Sequence, residues 1–135
     1  MKISRREMRI NAITILYQIF LYEKSKLSYN KTDIINRNEE IKNDFVLELV
    51  DNTYEKKDLL DEKINKFLKD WLLDRLSSLD AAILRVAVYE ILFTNTDDKI
   101  CINEAIEISK SYSDDSVIKI VNGVLDKISK EKNNA

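Results

Sequence analysis

Residues 71–94 read WLLDRLSSLDAAILRVAVYEILFT, and this stretch decides the fold. Within residues 81–93 only Arg85 and Glu90 are charged, while apolar or small side chains recur at spacings of three and four residues. A helix with apolar residues around so much of its circumference has little surface left for water. The pattern therefore predicts a central helix that is buried nearly all round.

The start of this helix and its two charges carry predictions of their own. Ser77 precedes Asp80 by three residues, which is the spacing of a capping box. In that motif the hydroxyl accepts from the Asp80 amide, and the carboxylate reaches back to the amide of the cap residue. A buried charge needs a partner or a route to the surface. We therefore expect Arg85 and Glu90 each to be paired inside the fold.

The composition favours an all-α fold. The chain has 135 residues, no proline and a single glycine, Gly123. Sheet-rich domains need turn residues at many corners, so their near absence argues against strands. We expect one domain over residues 1–135, with six or seven helices packed on the central helix and a frayed tail at 129–135.

Hydrophobic periodicity and capping residues place the other elements along the chain. The first half is predicted to hold a helix from Ser4, a short helix around 33–38, a helix from Ile41 and a helix over 58–69. Between the last two, Asn52 and Thr53 mark a break, or the helix is continuous and bent. The second half is predicted to hold a short turn over 71–76, a loop over 95–98, a helix from Ile102 or Asn103, and a last helix after residues 113–116.

Several function classes are disfavoured by what the sequence lacks. It contains no histidine, and its single cysteine, Cys101, allows no disulfide within the chain. The usual zinc and thiol-catalysis patterns are missing, as is a glycine-rich phosphate loop. We therefore expect a non-enzymatic protein without metal or cofactor. The reduced thiol and the lack of an 18-residue apolar run favour a cytoplasmic protein without a membrane span.

Basic residues cluster at the start of the first helix. Arg5 and Arg9 are four residues apart, and Lys2 and Arg6 lie beside them, which predicts one exposed basic edge. Guanidinium groups along such an edge can bind successive phosphates. Tyr17, further along the helix, offers a ring for base stacking. The alternative is a solvated basic terminus with a tyrosine in the core.

The only glycine lies inside a helical pattern, in IKIVNGVLDKI. A glycine there costs about 1 kcal/mol relative to alanine, so helix propensity does not explain it. Gly123 either allows another backbone to approach closely or leaves a neighbouring polar group accessible. Asn122 and Lys119 would place polar donors along the same edge. The candidate RNA-binding residues are therefore Lys2, Arg5, Arg6, Arg9, Tyr17, Lys119 and Asn122.

Six segments together carry a resemblance to a known family. They are Arg5-Arg6-x-x-Arg9, Leu16-Tyr17-Gln18, Asp74-Arg75-Leu76, AILRVAVYEI at 82–91, INEAIE at 102–107 and VNGVLDKI at 121–128. In this order they closely resemble the NusB family of bacterial transcription antitermination factors, over almost the whole chain. The resemblance implies an all-helical fold of two small bundles and no catalysis.

The resemblance also implies partners and a site. Members bind boxA, a short single-stranded RNA element, together with NusE, which is also a small-subunit ribosomal protein. The complex joins other Nus factors on elongating RNA polymerase and supports ribosomal RNA transcription. The family's RNA-contacting residues fall here on Arg5, Arg6, Arg9 and Tyr17, and its NusE-facing acids fall on Asp74 and Asp80.

Two other functions and one assembly state stay open at this stage. A helical module that docks NusE with little RNA affinity is favoured by Glu7 and Ile120, which stand where the family usually has a basic residue and a phenylalanine. An accessory RNA-binding domain of a ribosomal RNA methyltransferase is disfavoured by the lack of a cofactor-binding loop before Ala135. Some members self-associate, so a homodimer is possible.

Overall fold

A computed structural model describes residues 3–37, 43–68 and 73–134, and of Asp74 only the backbone. These residues form seven α-helices and one short 3₁₀ turn, and they contain no β-strand, so the predicted all-α fold is confirmed. Lys2, Trp71 and Ala135 lie outside the described residues. The helices are α1 (Arg5–Lys24), α2 (Lys31–Arg37), α3 (Asp44–Glu55), α4 (Lys57–Phe67), α5 (Ser78–Phe93), α6 (Asp98–Tyr112) and α7 (Asp115–Asn133), and the 3₁₀ turn is Leu73–Arg75.

Helix α5 is the central helix that the sequence predicts. Every residue from Asp80 to Ile91 is buried. Ser77 is its N-cap, and the hydroxyl accepts from the Asp80 amide at 3.0 Å, as expected. The other half of the capping box differs, because the Asp80 carboxylate accepts from the Ser77 hydroxyl at 2.9 Å rather than from the cap amide.

The remaining helices form two packed groups that share α5. Helix α1 packs against α2, α3 and α5, and together these form the first group. In the second group α4, α6 and α7 pack against α5, and α7 also packs against α4 and α6. The two predicted bundles around a central helix are therefore confirmed. Within the described ranges no helix is both long and apolar enough to span a membrane.

Arg85 and Glu90 of α5 are both paired inside the fold, as predicted. Arg85 donates to Asp61 of α4 through Nε at 2.6 Å and Nη2 at 3.0 Å, and its guanidinium lies 4.2 Å from the centroid of the Phe20 ring. Glu90 is paired with Arg9 of α1. The two ion pairs therefore connect α5 to one helix of each group.

The predicted helix start at Ile41 lies outside the described residues, and two other predicted boundaries are wrong. The break between α3 and α4 is at Lys56 rather than at Asn52 and Thr53. Thr53 is fully buried, and the Asn52 amide donates to the Tyr89 hydroxyl at 3.1 Å, so packing against α5 keeps this segment helical. Helix α6 begins at Asp98 instead of residue 102 or 103, because the Asp97 side chain accepts from the Lys99 amide at 2.9 Å and caps it.

Helix α7 extends into the segment 129–135, where the sequence predicts a frayed tail. Fraying was expected from residue 129, yet α7 continues through Asn133. Lys132 donates to the Ile91 carbonyl at 3.0 Å and to Asp98 at 2.5 Å, and the Ser129 hydroxyl donates to Asp98 at 2.6 Å. These contacts, which we call the C-terminal clamp, tie the end of α7 to α5 and α6.

Candidate nucleic-acid interface

The predicted basic edge lies at the start of α1. Ser4 is the N-cap of this helix, and its hydroxyl accepts from the Glu7 amide at 3.1 Å, so the first turn has a fixed geometry. The edge itself is not uniform, because its arginines Arg5, Arg6 and Arg9 differ in burial and in their contacts.

Arg9 is buried, so the prediction that it is exposed is wrong. Its side chain is 8% exposed. It forms a two-pronged contact with Glu90, from Nε to Oε1 at 2.7 Å and from Nη2 to Oε2 at 3.0 Å. The bonds to Glu90 raise the pKa of Arg9, against the effect of burial. Arg9 faces inward because the carboxylate on α5 needs a partner there.

Arg6 is half-exposed and also paired. Its side chain is 47% exposed, and both Nε, at 3.0 Å, and Nη2, at 2.5 Å, donate to Oε2 of Glu104 on α6. The other oxygen of Glu104, Oε1, lies 3.5 Å from Nη1 of Arg9. The hydrogen bond to Glu104 raises the pKa of Arg6. Arg6, Glu104, Arg9 and Glu90 thus form one row, which we call the ion-pair ladder.

Arg5 is exposed and is the least engaged of the three. Its guanidinium carbon lies 4.1 Å from the centroid of the Phe45 ring of α3, a cation–π distance. Among the described residues its one hydrogen-bond contact is with Sδ of Met8, a weak acceptor, at 3.7 Å. Stacking on one face orients the guanidinium while its N–H groups stay open to an anion.

Tyr17 lines an apolar groove between α1, α5 and α6. The groove has a volume of about 200 Å³, and its lining comprises Ile10, Ile13, Thr14, Tyr17, Leu79, Ile108 and Tyr112. Tyr17 is partly buried, whereas Tyr112, at the end of α6, is 52% exposed. The sequence analysis missed Tyr112, although an aromatic residue at a helix end just before a polar run, SDDS, is a recognisable signal. The groove therefore places two phenol rings on one surface.

Lys119 and Asn122 lie on α7, which packs against α4, α5 and α6, and both are exposed. A Cβ atom added at Gly123 would meet no atom of the described residues within 4 Å. Close approach by another part of the described chain therefore does not explain the glycine. The other interpretation, access to neighbouring polar groups, agrees with the exposure of Asn122.

Of the two acidic residues near the start of α5, the structure describes Asp80 in full and Asp74 by its backbone. Asp80 is buried at 7% exposure, and besides Ser77 it accepts a short hydrogen bond from the Ser113 hydroxyl. Its carboxylate thus links the start of α5 to the connection that precedes α7. For Asp74, only the backbone position in the 3₁₀ turn is described.

Comparison with known proteins gives a consistent answer. The NusB family model matches residues 6–130. Two relatives named transcription antitermination protein NusB come from Campylobacter lari, with 43% identity over 95% of this chain and 97% of the relative, and from Staphylococcus aureus strain JH9, with 40% identity over 94% and 99%.

Solved structures agree with the sequence matches. NusB of T. maritima superposes with a TM-score of 0.80 at 34% identity, over 97% of this chain and 94% of that one. A crystal structure of the antitermination factors NusB and NusE in complex with dsRNA gives a TM-score of 0.80 at 27% identity, over 94% of this chain and 96% of the matched one. On these matches, this chain belongs to the NusB family.

Proposed function

We propose that this chain is a transcription antitermination factor that binds boxA-type RNA together with NusE and so supports ribosomal RNA transcription. Relatives at 40–43% identity carry the antitermination name, and a solved NusB structure contains NusE and RNA. The family acts by binding rather than by catalysis. The proposal extends to a cytoplasmic site of action, on elongating RNA polymerase with other Nus factors. Self-association into a homodimer stays a prediction.

The observation that carries this proposal is the pair of adjacent arginines at the capped start of α1. Arg5 is oriented by Phe45 and keeps its donors open, and Arg6 is half-exposed. Guanidinium groups contact phosphates without regard to base sequence, so they position the RNA backbone. Tyr17 and Tyr112 supply aromatic surface in the groove, roughly 16 Å further along α1 from Arg6 at a rise of 1.5 Å per residue. That surface suits stacking of unpaired bases.

The other residues of the proposed site have different tasks. Arg9 supports the site from within, since its side chain holds Glu90 and borders Glu104. Lys119 and Asn122 extend the polar surface on α7, and Lys2, which lies outside the described residues, precedes α1 in the sequence.

NusE is proposed to dock near the start of α5, where Asp74 and Asp80 lie. The buried carboxylate of Asp80 acts there through Ser113, by holding the connection between α6 and α7 in place.

A second candidate function is a helical module that docks NusE with little RNA affinity. One observation favours it: Arg6 and Arg9 already hold carboxylates, which leaves Arg5 as the least engaged arginine of the edge. The acidic neighbour Glu7 is exposed on the same first turn.

The two functions are separated by measuring the affinity of the NusE complex for a fluorescent boxA RNA. We expect Arg5→Ala with Arg6→Ala to lower the affinity roughly tenfold to a hundredfold, because two charged contacts are lost. The slope of log affinity against log salt concentration should also become shallower by about 0.7 for each lost phosphate contact.

The matched control removes two equal charges elsewhere, with Lys127→Ala and Lys130→Ala on the exposed side of α7. This control should change the affinity far less than the arginine variant. If the wild type binds NusE but adds no RNA affinity to it, and the arginine variant changes neither property, the docking module is the better description.

A further inference from the structure

We propose that Glu104 competes with RNA phosphate for Arg6 and thereby lowers the RNA affinity of the free surface. This inference rests on the proposed function, since it concerns the same basic edge. Glu104 of α6 is thus a positioning residue. It changes the RNA affinity of the basic edge through Arg6 rather than by contacting the RNA.

Glu104 occupies two of the donors through which Arg6 could bind a phosphate. Nε and Nη2 of Arg6 both donate to a single oxygen, Oε2 of Glu104. A phosphate binds a guanidinium group most strongly through two parallel N–H groups, and this edge offers such a pair. Phosphate and carboxylate therefore cannot both hold this edge of Arg6 at once.

Glu104 is itself held in place by its surroundings. Its side chain is only 13% exposed, and Oε1 lies 3.5 Å from Nη1 of Arg9. Arg9 is in turn fixed by its two bonds to the buried Glu90. Arg6 is thus tethered to a carboxylate that cannot easily swing away into solvent.

Arg6 can nevertheless exchange Glu104 for a phosphate. When Arg6 turns to a phosphate, Glu104 still has Arg9 beside it, so its charge is not left without a neutralising neighbour. The contact that is lost lies at the surface, where ion pairs are weak. The restraint therefore reduces the affinity without abolishing binding.

The test is the affinity of the NusE complex for fluorescent boxA RNA with Glu104→Gln, which is isosteric and removes the competing charge. We expect the affinity to rise about threefold to tenfold, which is the scale of one unit charge within a few ångströms near water. Glu104→Ala should raise it at least as much, because glutamine can still accept one bond from Arg6. Both variants are checked by thermal melting, so that a folding defect is recognised.

Two further variants separate release of Arg6 from a general change in charge. In the Arg6→Ala background, Glu104→Gln should leave the affinity nearly unchanged, because there is no arginine to release. Glu107→Gln is the matched control, since Glu107 lies one turn along α6, is paired with Lys110 and carries the same charge. It should raise the affinity clearly less than Glu104→Gln does.

The outcomes distinguish this inference from the proposed function. Wild-type binding that Glu104→Gln does not strengthen, or strengthens equally without Arg6, overturns the inference and leaves the function standing. Binding that appears only in Glu104→Gln supports the inference strongly. An absence of RNA binding by every variant with NusE overturns the proposed function, and the inference falls with it.

Discussion

Arg6 and Arg9 lie three residues apart on α1, and each donates to a glutamate through Nε and Nη2. They differ in burial, because the side chain of Arg6 is 47% exposed and that of Arg9 only 8%. A buried pair is part of the fold, since losing one partner leaves a charge without water or counter-charge. An exposed pair contributes little to stability and can exchange its partner for a ligand. The same residue type and similar contacts thus serve two purposes.

The largest expected effect comes from breaking the buried pair. Arg9→Ala should lower the free energy of unfolding by about 3–5 kcal/mol, because Glu90 would remain buried at 2% exposure without its partner. Urea unfolding followed by circular dichroism measures this loss. The same measurement on Arg6→Ala should show a much smaller change, since Glu104 would still have Arg9 beside it.

A double variant checks the cause of that loss. Arg9→Met with Glu90→Leu replaces the pair by apolar groups of similar size and should regain most of the stability lost in Arg9→Ala. Equal destabilisation by Arg9→Ala and Arg6→Ala would contradict the comparison. So would a double variant no more stable than Arg9→Ala.

The C-terminal clamp tests an intermediate degree of burial. The Asp98 side chain is 15% exposed and that of Lys132 is 33% exposed. Asp98→Asn should lower the free energy of unfolding by about 1–2 kcal/mol near neutral pH, because a charged acceptor is lost. Urea unfolding of both proteins at several pH values measures the difference.

This loss should depend on pH in a defined direction. Burial raises the pKa of Asp98, but the bonds from Lys132 and Ser129 together outweigh burial, and the pKa lies below its usual value. A lowered pKa in the folded state contributes stability above the unfolded pKa and loses it as the pH falls through the folded pKa. The wild type should therefore lose its advantage over Asp98→Asn below about pH 4. An advantage that does not shrink as the pH falls below about 4 would contradict this assignment.

The smallest expected effect concerns a position with no side chain at all. Gly123→Ala should raise the free energy of unfolding by roughly 0.5–1 kcal/mol, because the new Cβ meets nothing within 4 Å and alanine favours the helix. Thermal melting measures this gain. The RNA affinity of the same variant should also be measured. Like Arg6, Gly123 is not required by packing within the fold, so a loss of RNA affinity in the more stable variant would assign the glycine to binding. Unchanged stability would mean that α7 accommodates glycine at no cost.

The sequence predicts the parts of the structure that depend on long periodic patterns. The buried α5 and the internal pairing of Arg85 and Glu90 follow from one argument, that a helix without a polar face must satisfy its charges inside. The same reasoning, applied to α1, could have predicted that Arg9 is buried. Arg9 precedes Ile13 by four residues and therefore lies on the core-facing side of α1, where Glu90 needs a cation.

Other features could not be predicted because they depend on contacts between distant segments. The C-terminal clamp joins Asp98 to Lys132, 34 positions further along the chain. The Arg6–Glu104 contact joins residues 98 positions apart, and no local spacing reveals it. The basic edge was visible as a cluster of charge, whereas the division of its arginines between fold and surface required the tertiary structure.

The burial of Cys101 makes the chain's only thiol a reporter of motion. It lies on α6 and lines the small cavity that also contacts Arg9, Glu90 and Glu104. Burial raises its pKa to about 12, so the thiol is both inaccessible and protonated in the closed structure. A thiol reagent can react only when α6 moves away from the helices that cover Cys101. The rate at which Cys101 is modified therefore reports local opening of the structure around the ion-pair ladder.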